Sequence, residues 1–386
     1  MKLIHTADVH LDRCFASSRV PPRQAKWRRQ LLRELFLDML RRAADTRADA
    51  VLIAGDLFEA HYVTRETIAF VQEACYLAAP VPILIAPGNR DPVGPHSPYA
   101  AAPWPENVHI FRSPQWETIE LPHAALAVHG FAFDASDPAA SSLDHLSVPA
   151  ESGRVHVALG HGTAIEDGAT AGGAVAPFDV NAATPQGIAY LALGHVHDRR
   201  AIANDRGVPA WYCGSLDCLG FDAAGECGYL EVRIEEEHGS RQVHVEPVHT
   251  ARTRYVTRDL DCSDLSNLVQ IAEALRGLGR SLEGEVMARI RLCGRRPDHA
   301  PIDRTQLAQN AAEAYTFLEL EDATEPPEDL DALAREHASL GVFVDRLNHE
   351  LADTLPPERA AMVDRARALG IEAYRRHAPA TGDEES

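Results

Sequence analysis

The sequence predicts an α/β protein built on parallel strands, and three observations predict it. Short apolar runs of buried-strand type recur through the first half of the chain. Segments of helical or irregular pattern separate them, and each run stops abruptly at a glycine or a polar side chain. Strands alternating with helices imply a largely parallel sheet, and such sheets gather ligands beyond the carboxyl ends of their strands.

The first run, Met1-Lys-Leu-Ile-His-Thr-Ala-Asp-Val-His10, ends in Asp8 and His10. Alone, this Asp-x-His pair is an ordinary polar strand exit, and its context decides whether it is more. From Gln24 to Ala44, Trp27, Leu31, Leu35, Met39 and Ala43 recur every four positions, the period of a helix. Ala50 to Ala54 is a second strand closing on Gly55-Asp56-Leu57-Phe58, where glycine permits a tight turn. A helix is expected from Thr64 to about Ala78. Val81 to Ala86 ends in Pro87-Gly88-Asn89-Arg90-Asp91, Val155 to Leu159 leads into Gly160-His161-Gly162, and Ile188 to Leu193 leads into Gly194-His195-Val196-His197. Five strand exits therefore converge on one end of the sheet.

Between these runs, Leu121 to Gly153 and Glu166 to Pro177 are rich in Ala, Gly, Ser and Pro, lack periodicity, and read as surface excursions. Trp211 to Ser215 and Gly228 to Ile234 read as strands of a second sheet, and the core domain closes near Thr250. From Arg254 to Leu320 strand-like and helix-like stretches alternate again, as a small αβ module. Pro326-Pro327 marks a linker. Beyond it Leu330, Leu333, His337, Leu340, Val344, Leu347 and Leu351 alternate spacings of three and four. That pattern suits a coiled-coil seam or, equally, a hairpin with a helix over 357–377, whose stripe is Met362, Ala366, Leu369 and Ala373. Residues from Ala378 read as a disordered tail. The expected domains are 1–250, 251–324 and 325–386.

Composition bounds the class. An apolar fraction of 45% over 386 residues supports one large α/β domain with smaller units. Seven cysteines without a Cys-x-x-Cys pair argue for reduced thiols in a cytoplasmic setting and against structural zinc. The N-terminus reaches Asp8 too soon for a signal peptide, and no run approaches the ~20 apolar residues of a membrane span. A net charge of −20 argues against nucleic acid. The chain is nevertheless polarised: Arg13, Arg19, Arg23, Lys26, Arg28, Arg29, Arg33, Arg41, Arg42 and Arg47 crowd into one stretch, while acid concentrates beyond Glu319. Such a helix is either a solvated face or a basic wall beside the Asp-x-His exit.

Together the exits supply Asp8, His10, Asp56, Asn89, His161, His195 and His197. Imidazole and carboxylate suit manganese, iron or zinc, and an Asn amide oxygen suits a harder ion. Seven donors are too many for one ion with an open position, whereas two ions roughly 3.5–4 Å apart, bridged by one carboxylate, need about this number. His5 reads as a core or supporting residue. His129 competes with His161 as a ligand, and His161 fits better behind its clean apolar strand. His61, His96 and His123 read as loop residues, with His61 near enough to Asp56 to approach a substrate.

The ordered series Asp-x-His, Gly-Asp, Gly-Asn-x-Asp, His and Gly-His-x-His resembles the calcineurin-like metallophosphoesterases. Within them, His5-Thr-Ala-Asp-Val-His-Leu-Asp, Gly55-Asp-Leu-Phe58, Tyr212-Cys-Gly-Ser215 and the appended αβ module are similar to the DNA repair exonuclease branch of SbcD and YhaO type. The resemblance implies a four-layer sandwich, two mixed sheets flanked by helices, with a small α+β cap and C-terminal helices. It implies that Asp8, His10 and His197 hold one divalent ion, that Asn89, His161 and His195 hold the other, and that Asp56 bridges them. The ions are expected to be manganese, with iron, zinc or magnesium as alternatives. It further implies hydrolysis of DNA phosphodiesters, a DNA-contacting cap, an SMC-like ABC-type ATPase partner at the C-terminal helices, and a homodimer.

One position departs from the pattern. Arg90 stands where the family has a histidine that assists at the scissile phosphate. Arginine is no proton donor at neutral pH but binds phosphate oxygens well. Arg90 and Asp91 are therefore the candidate catalytic pair, with three outcomes: an active enzyme of altered chemistry, a structural Arg90–Asp91 pair, or a disabled nuclease that serves as a DNA-end-binding scaffold. A phosphodiesterase acting on a substrate other than DNA is the remaining alternative.

Overall fold

The computed structural model describes residues 1–15, 20–100, 103–137, 146–149, 153–165, 175–221, 226–237, 240–335 and 339–377. The chain divides into two compact units: Met1–Arg258 with Ala274–Ile290 and Ala308–Leu320, and Asp259–Glu273 with Arg291–Leu307 and Glu321–Ser386.

In chain order the first unit begins with β1 (Lys2–Thr6), α1 (Pro22–Asp45), β2 (Ala50–Ile53), α2 (Arg65–Leu77), β3 (Ile83–Ile85) and β4 (Val108–Ile110). Then come β5 (Glu117–Leu121), β6 (Leu126–Gly130), β7 (Val155–His161), α3 (Val180–Ala183) and β8 (Ile188–Gly194). They are followed by β9 (Arg200–Ile202), β10 (Ala210–Tyr212), β11 (Gly228–Glu237) and β12 (Ser240–His249).

These strands form two mixed six-stranded sheets, ordered β12-β11-β1-β2-β3-β4 and β5-β6-β7-β8-β10-β9. The strands from β1 to β4 run parallel, as do those from β6 through β7 and β8 to β10, and the outer partners are antiparallel. The α/β class and the two mixed sheets agree with the expected architecture. The distribution of strands corrects the residue-by-residue reading in two ways. The five exits come from two sheets rather than one, and the segments at 211 and 228 do not pair with each other: the first joins β8 and the second joins β1.

A further correction concerns Leu121 to Gly153. Its start is not a surface excursion but β6, five fully buried residues between β5 and β7. A short Leu-Ala-Val run beside a proline and closed by His129-Gly130 carries too few β-branched residues to announce a strand. The second proposed excursion, Glu166 to Pro177, lies mostly outside the described residues.

The parallel strands are apolar on both faces because both faces are covered. Ile4, Val51, Ile53, Ile83 and Ile85 pack with Leu31, Leu35, Phe36, Met39 and Leu40 of α1 and with Ile68 and Val71 of α2. Leu3, Leu52 and Leu84 point the other way, onto Val128, Val157, Leu159 and Tyr190 of the second sheet. One α1 cation is buried too. The Arg28 guanidinium is fully enclosed, donating to the Asp217 carboxylate, Thr253 Oγ1 and the Cys218 carbonyl.

Beyond β12, β13 (Thr253–Asp261), α4 (Leu268–Arg280), β14 (Glu285–Cys293), α5 (Arg304–Ala311) and β15 (Phe317–Asp322) form a three-stranded sheet ordered β13-β14-β15. It is parallel: Glu285 N–H donates to Arg252 O near the starts of β14 and β13, and Cys262 N–H to Cys293 O near their ends.

The C-terminus carries α6 (Leu330–Arg335), α7 (Ser339–Ala352) and α8 (Pro357–His377). Leu333, Leu340, Val344 and Ile371 share one cluster, the intramolecular hairpin alternative. The expected α8 stripe is corrected: Val363 and Ile371 face inward, while Met362 and Leu369 are 71% and 57% exposed. His337 of the proposed seam and the tail from Ala378 lie outside the described residues. Among the described residues no helix is long and apolar enough to cross a membrane.

Candidate metal centre

The exits of β1 and β2 run side by side. Asp8 N–H donates to Gly55 O at 3.0 Å, His10 N–H to Asp56 O at 2.9 Å and Leu11 N–H to Leu57 O at 2.9 Å. Asp8, His10 and Asp56 adopt left-handed backbone with φ of 51°, 50° and 51°, and His195 at the end of β8 has φ 104°. Each such non-glycine residue stores on the order of 1–3 kcal/mol of strain, which persists only where surroundings over-determine it and which clusters at functional sites. Two glycines clear the floor: a Cβ at Gly55 would lie 2.3 Å from His161 Nδ1, and one at Gly88 would lie 2.3 Å from Asp56 Oδ1.

Hydrogen bonds fix which nitrogen of two histidines faces inward. His161 Nδ1–H donates to the Ala54 carbonyl at 2.9 Å, so Nε2 carries the lone pair. That lone pair faces Asn89 Oδ1 at 2.9 Å and Asp56 Oδ1 at 3.6 Å. His10 Nδ1–H donates to Glu59 Oε1 at 2.9 Å, and its Nε2 faces His197 Nε2 at 3.1 Å, Asp56 Oδ2 at 3.8 Å and Asp8 Oδ1 at 3.9 Å. His197 Nε2 is itself 3.9 Å from Asp8 Oδ1. His195 donates its backbone N–H to Asp8 Oδ2 at 2.9 Å and sets its ring edge-on to His161, with centroids 5.3 Å apart.

Burial acts on both kinds of ligand, favouring the neutral form of each. Burial pushes His161 and His195 down to about 4 and His197 to about 3, so all three are neutral at pH 7. Burial raises the Asp8 and Asp56 carboxyls, and each also feels a neighbouring carboxylate. Glu59 is lowered: burial pushes it up, and its bond to His10 with nearby positive charge outweighs that.

This donor set fits divalent cations. Ligand atoms of Asp8, His10 and His197 lie within 4.8 Å of one another, as do those of Asp8, Asp56 and His161. Bonds of ~2.0–2.2 Å put neighbouring ligands about 3–3.5 Å apart, close to the separations found. The two oxygens of Asp56 face different halves, Oδ2 towards His10 and Oδ1 towards His161, which is the geometry of a bridging carboxylate.

Residues 1–199 match the calcineurin-like phosphoesterase family. The chain belongs to that family. Members of this calcineurin-like phosphoesterase family are generally metal-dependent hydrolases of phosphoester bonds. The chain is also similar to a Bacillus subtilis (strain 168) protein named uncharacterized metallophosphoesterase YhaO, 26% identical over 412 residues, a match covering 100% of this chain and 94% of the relative.

The remaining candidates sit apart. Arg90 is exposed, its backbone N–H donates to Asp56 Oδ1 at 2.7 Å, and its guanidinium makes no ion pair among the described residues. Asp91 is fully buried and does not face the opening. Its Oδ1 accepts from Gly88 N–H and Asp56 N–H, and its Oδ2 from Phe58 N–H and Tyr99 O–H. Asp91 thus holds the β2 and β3 exits together, and the Arg90–Asp91 pair does not form. His5 is buried, accepting from Tyr190 O–H at 2.8 Å and donating to the Leu193 carbonyl at 3.2 Å. His129 stacks on His156 away from the cluster, and His61 is exposed. Sequence reasoning missed Glu59 and Tyr99, which orient His10 and Asp91. Glu59 lies three residues after Asp56, and only its closeness to that exit hinted at a role.

Proposed function

We propose that this calcineurin-like phosphoesterase is a binuclear, manganese-dependent phosphodiesterase that cleaves DNA in the cytoplasm, in company with an SMC-like ABC-type ATPase. Convergence of Asp8, His10, Asp56, His161 and His197, with Asn89 beside His161 and Asp56 facing both halves, carries the phosphodiesterase part. When bound, the ions supply Lewis-acid polarisation of the phosphate and a nucleophile at neutral pH. The protein's share is orientation. Glu59 and the Ala54 carbonyl hold the proton on Nδ1 of His10 and His161, leaving each Nε2 free to coordinate. The exposed Arg90 guanidinium, without an ion pair among the described residues, is available to phosphate oxygens, and leaving-group protonation falls to water.

A polyanionic substrate is supported by a groove of about 540 Å³ on the α1 side of the β1 exit. Lys26, Arg29, Arg33 and the exposed Tyr62 line it. Arg33 is engaged by Asp12 and Thr67, whereas Lys26 and Arg29 make no ion pair among the described residues. Cations beside an aromatic face suit a nucleic-acid strand better than an isolated phosphate. The full-length similarity to YhaO supports the same branch.

The test incubates metal-loaded protein, alone and with its ATPase, with labelled single- and double-stranded DNA and with a small aryl phosphodiester. Manganese-dependent DNA cleavage supports the proposal. Hydrolysis of the small ester alone points to another substrate, and loss of both with metal bound leaves a DNA-end-binding scaffold.

A further inference from the structure

Cys218 and Cys227 belong to no part of the metal centre, yet their Sγ atoms lie 2.8 Å apart. Neither is disulfide-bonded, and both are buried, at 9% and 3% exposure. That separation is within about 1 Å of a disulfide bond length of ~2.05 Å. The backbone on either side is already fixed: Gly228 N–H donates to Ser215 O at 2.8 Å, Thr250 N–H to Cys227 O at 3.3 Å, and Arg28 to the Cys218 carbonyl. Closing a bond here asks little rearrangement of the chain.

We propose that Cys218 and Cys227 form a reversible disulfide site, closed by a low-molecular-weight disulfide of the glutathione type. The inference is independent of the phosphodiesterase reading. The two thiols are unequal. The hydrogen bond from Cys227 lowers the Cys218 thiol, with Arg28 helping against burial, while the same bond and burial push the Cys227 thiol up. Cys218 is also the more exposed of the two. The Cys218 thiolate therefore attacks one sulfur of the oxidant, forming a mixed disulfide and expelling one small thiolate. Cys227 then gives up its proton and attacks Cys218 Sγ, expelling the second. Two electrons pass from the cysteines to the oxidant, which leaves as two thiols carrying the two protons. Cys75, by contrast, is buried, and burial pushes its thiol up to about 12, so it stays inert.

The experiment treats full-length protein with oxidised glutathione, blocks remaining thiols by alkylation, and maps peptides by mass spectrometry. A Cys218–Cys227 cross-linked peptide that dithiothreitol removes is expected. In C227S the glutathione adduct should be trapped on Cys218, at least about tenfold more than on Cys227 in C218S. Wild-type protein in which both cysteines are alkylated while exposed Cys14 carries glutathione overturns the proposal, as does preferential trapping on Cys227. The wild-type map needs no variant, so a variant that fails to fold leaves the test intact.

Discussion

Two buried carboxylates, at the exits of β1 and β3, live in opposite surroundings. Asp91 sits among donors: three backbone N–H groups and one phenol meet its two oxygens. Asp8 meets the N–H of His195 on one side and, on the other, the lone-pair face of His10 Nε2, with His197 Nε2 3.9 Å away. Burial raises both acids. The first is a finished hydrogen-bond network that stabilises two loops. The second is a set of acceptors facing acceptors, stable only when a cation joins it or a proton is retained. Burial alone does not mark a functional carboxylate; an unmatched set of acceptors around it does.

The largest effect that tests this contrast is on catalysis. Asp8→Ala should lower metal content and reduce phosphodiester hydrolysis by about a thousandfold or more, with circular dichroism unchanged. Full activity in that variant would overturn the site assignment. On stability the two deletions should diverge. Asp91→Ala orphans four donors and should destabilise by about 3 kcal/mol or more in urea unfolding. Asp8→Ala in metal-free protein should be near neutral or stabilising, since it removes a desolvated acid, and equal losses in both would erase the distinction. Next in size, Glu59→Gln should weaken metal affinity about 10–100-fold by calorimetry while preserving the fold, because it loosens the tautomer of His10.

The smallest effect is a pH dependence. Burial holds His5 at about 3, against 6.5 for an exposed imidazole. Between those values the unfolded chain binds a proton that the folded chain refuses, so the stability difference between wild type and His5→Gln should fall as pH drops from about 6.5. The raised Asp8 and Asp56 act with the opposite sign: the folded state keeps their protons longer, so acidification relieves them. The difference between the two proteins isolates His5, and a difference flat from pH 7 to 4.5 would contradict its burial as neutral imidazole.

Legibility in the sequence followed chemistry more than periodicity. Asp8, Asp56, His161 and His195 were readable because a polar group directly behind a four- to seven-residue apolar run has few places to go. Periodicity proved degenerate in α8, where either of two stripes could face inward and the packing of Phe343 against Gly370 accompanies burial of Val363 and Ile371. It also hid Arg28. In α1 the stripe Trp27, Leu31, Leu35 was plain, but no pattern announces that an arginine one residue along it will be enclosed by Asp217, Thr253 and the Cys218 carbonyl. Partners 189 and 225 residues away decide that. The sorting of strands into two sheets was equally invisible, since a parallel strand carries no mark of which neighbour it will pair with.

The bonds between His161 and Ala54, His195 and Asp8, and His5 with Tyr190 and Leu193 all run from one six-stranded sheet to the other. The end that carries the candidate metal centre is thus the clasp of the sandwich. Breathing motions that part the sheets at this edge undo the ligand geometry before they expose the apolar interior. On heating, the inactivation curve should therefore run ahead of the unfolding curve, and amides at both sets of strand exits should exchange with solvent in concert.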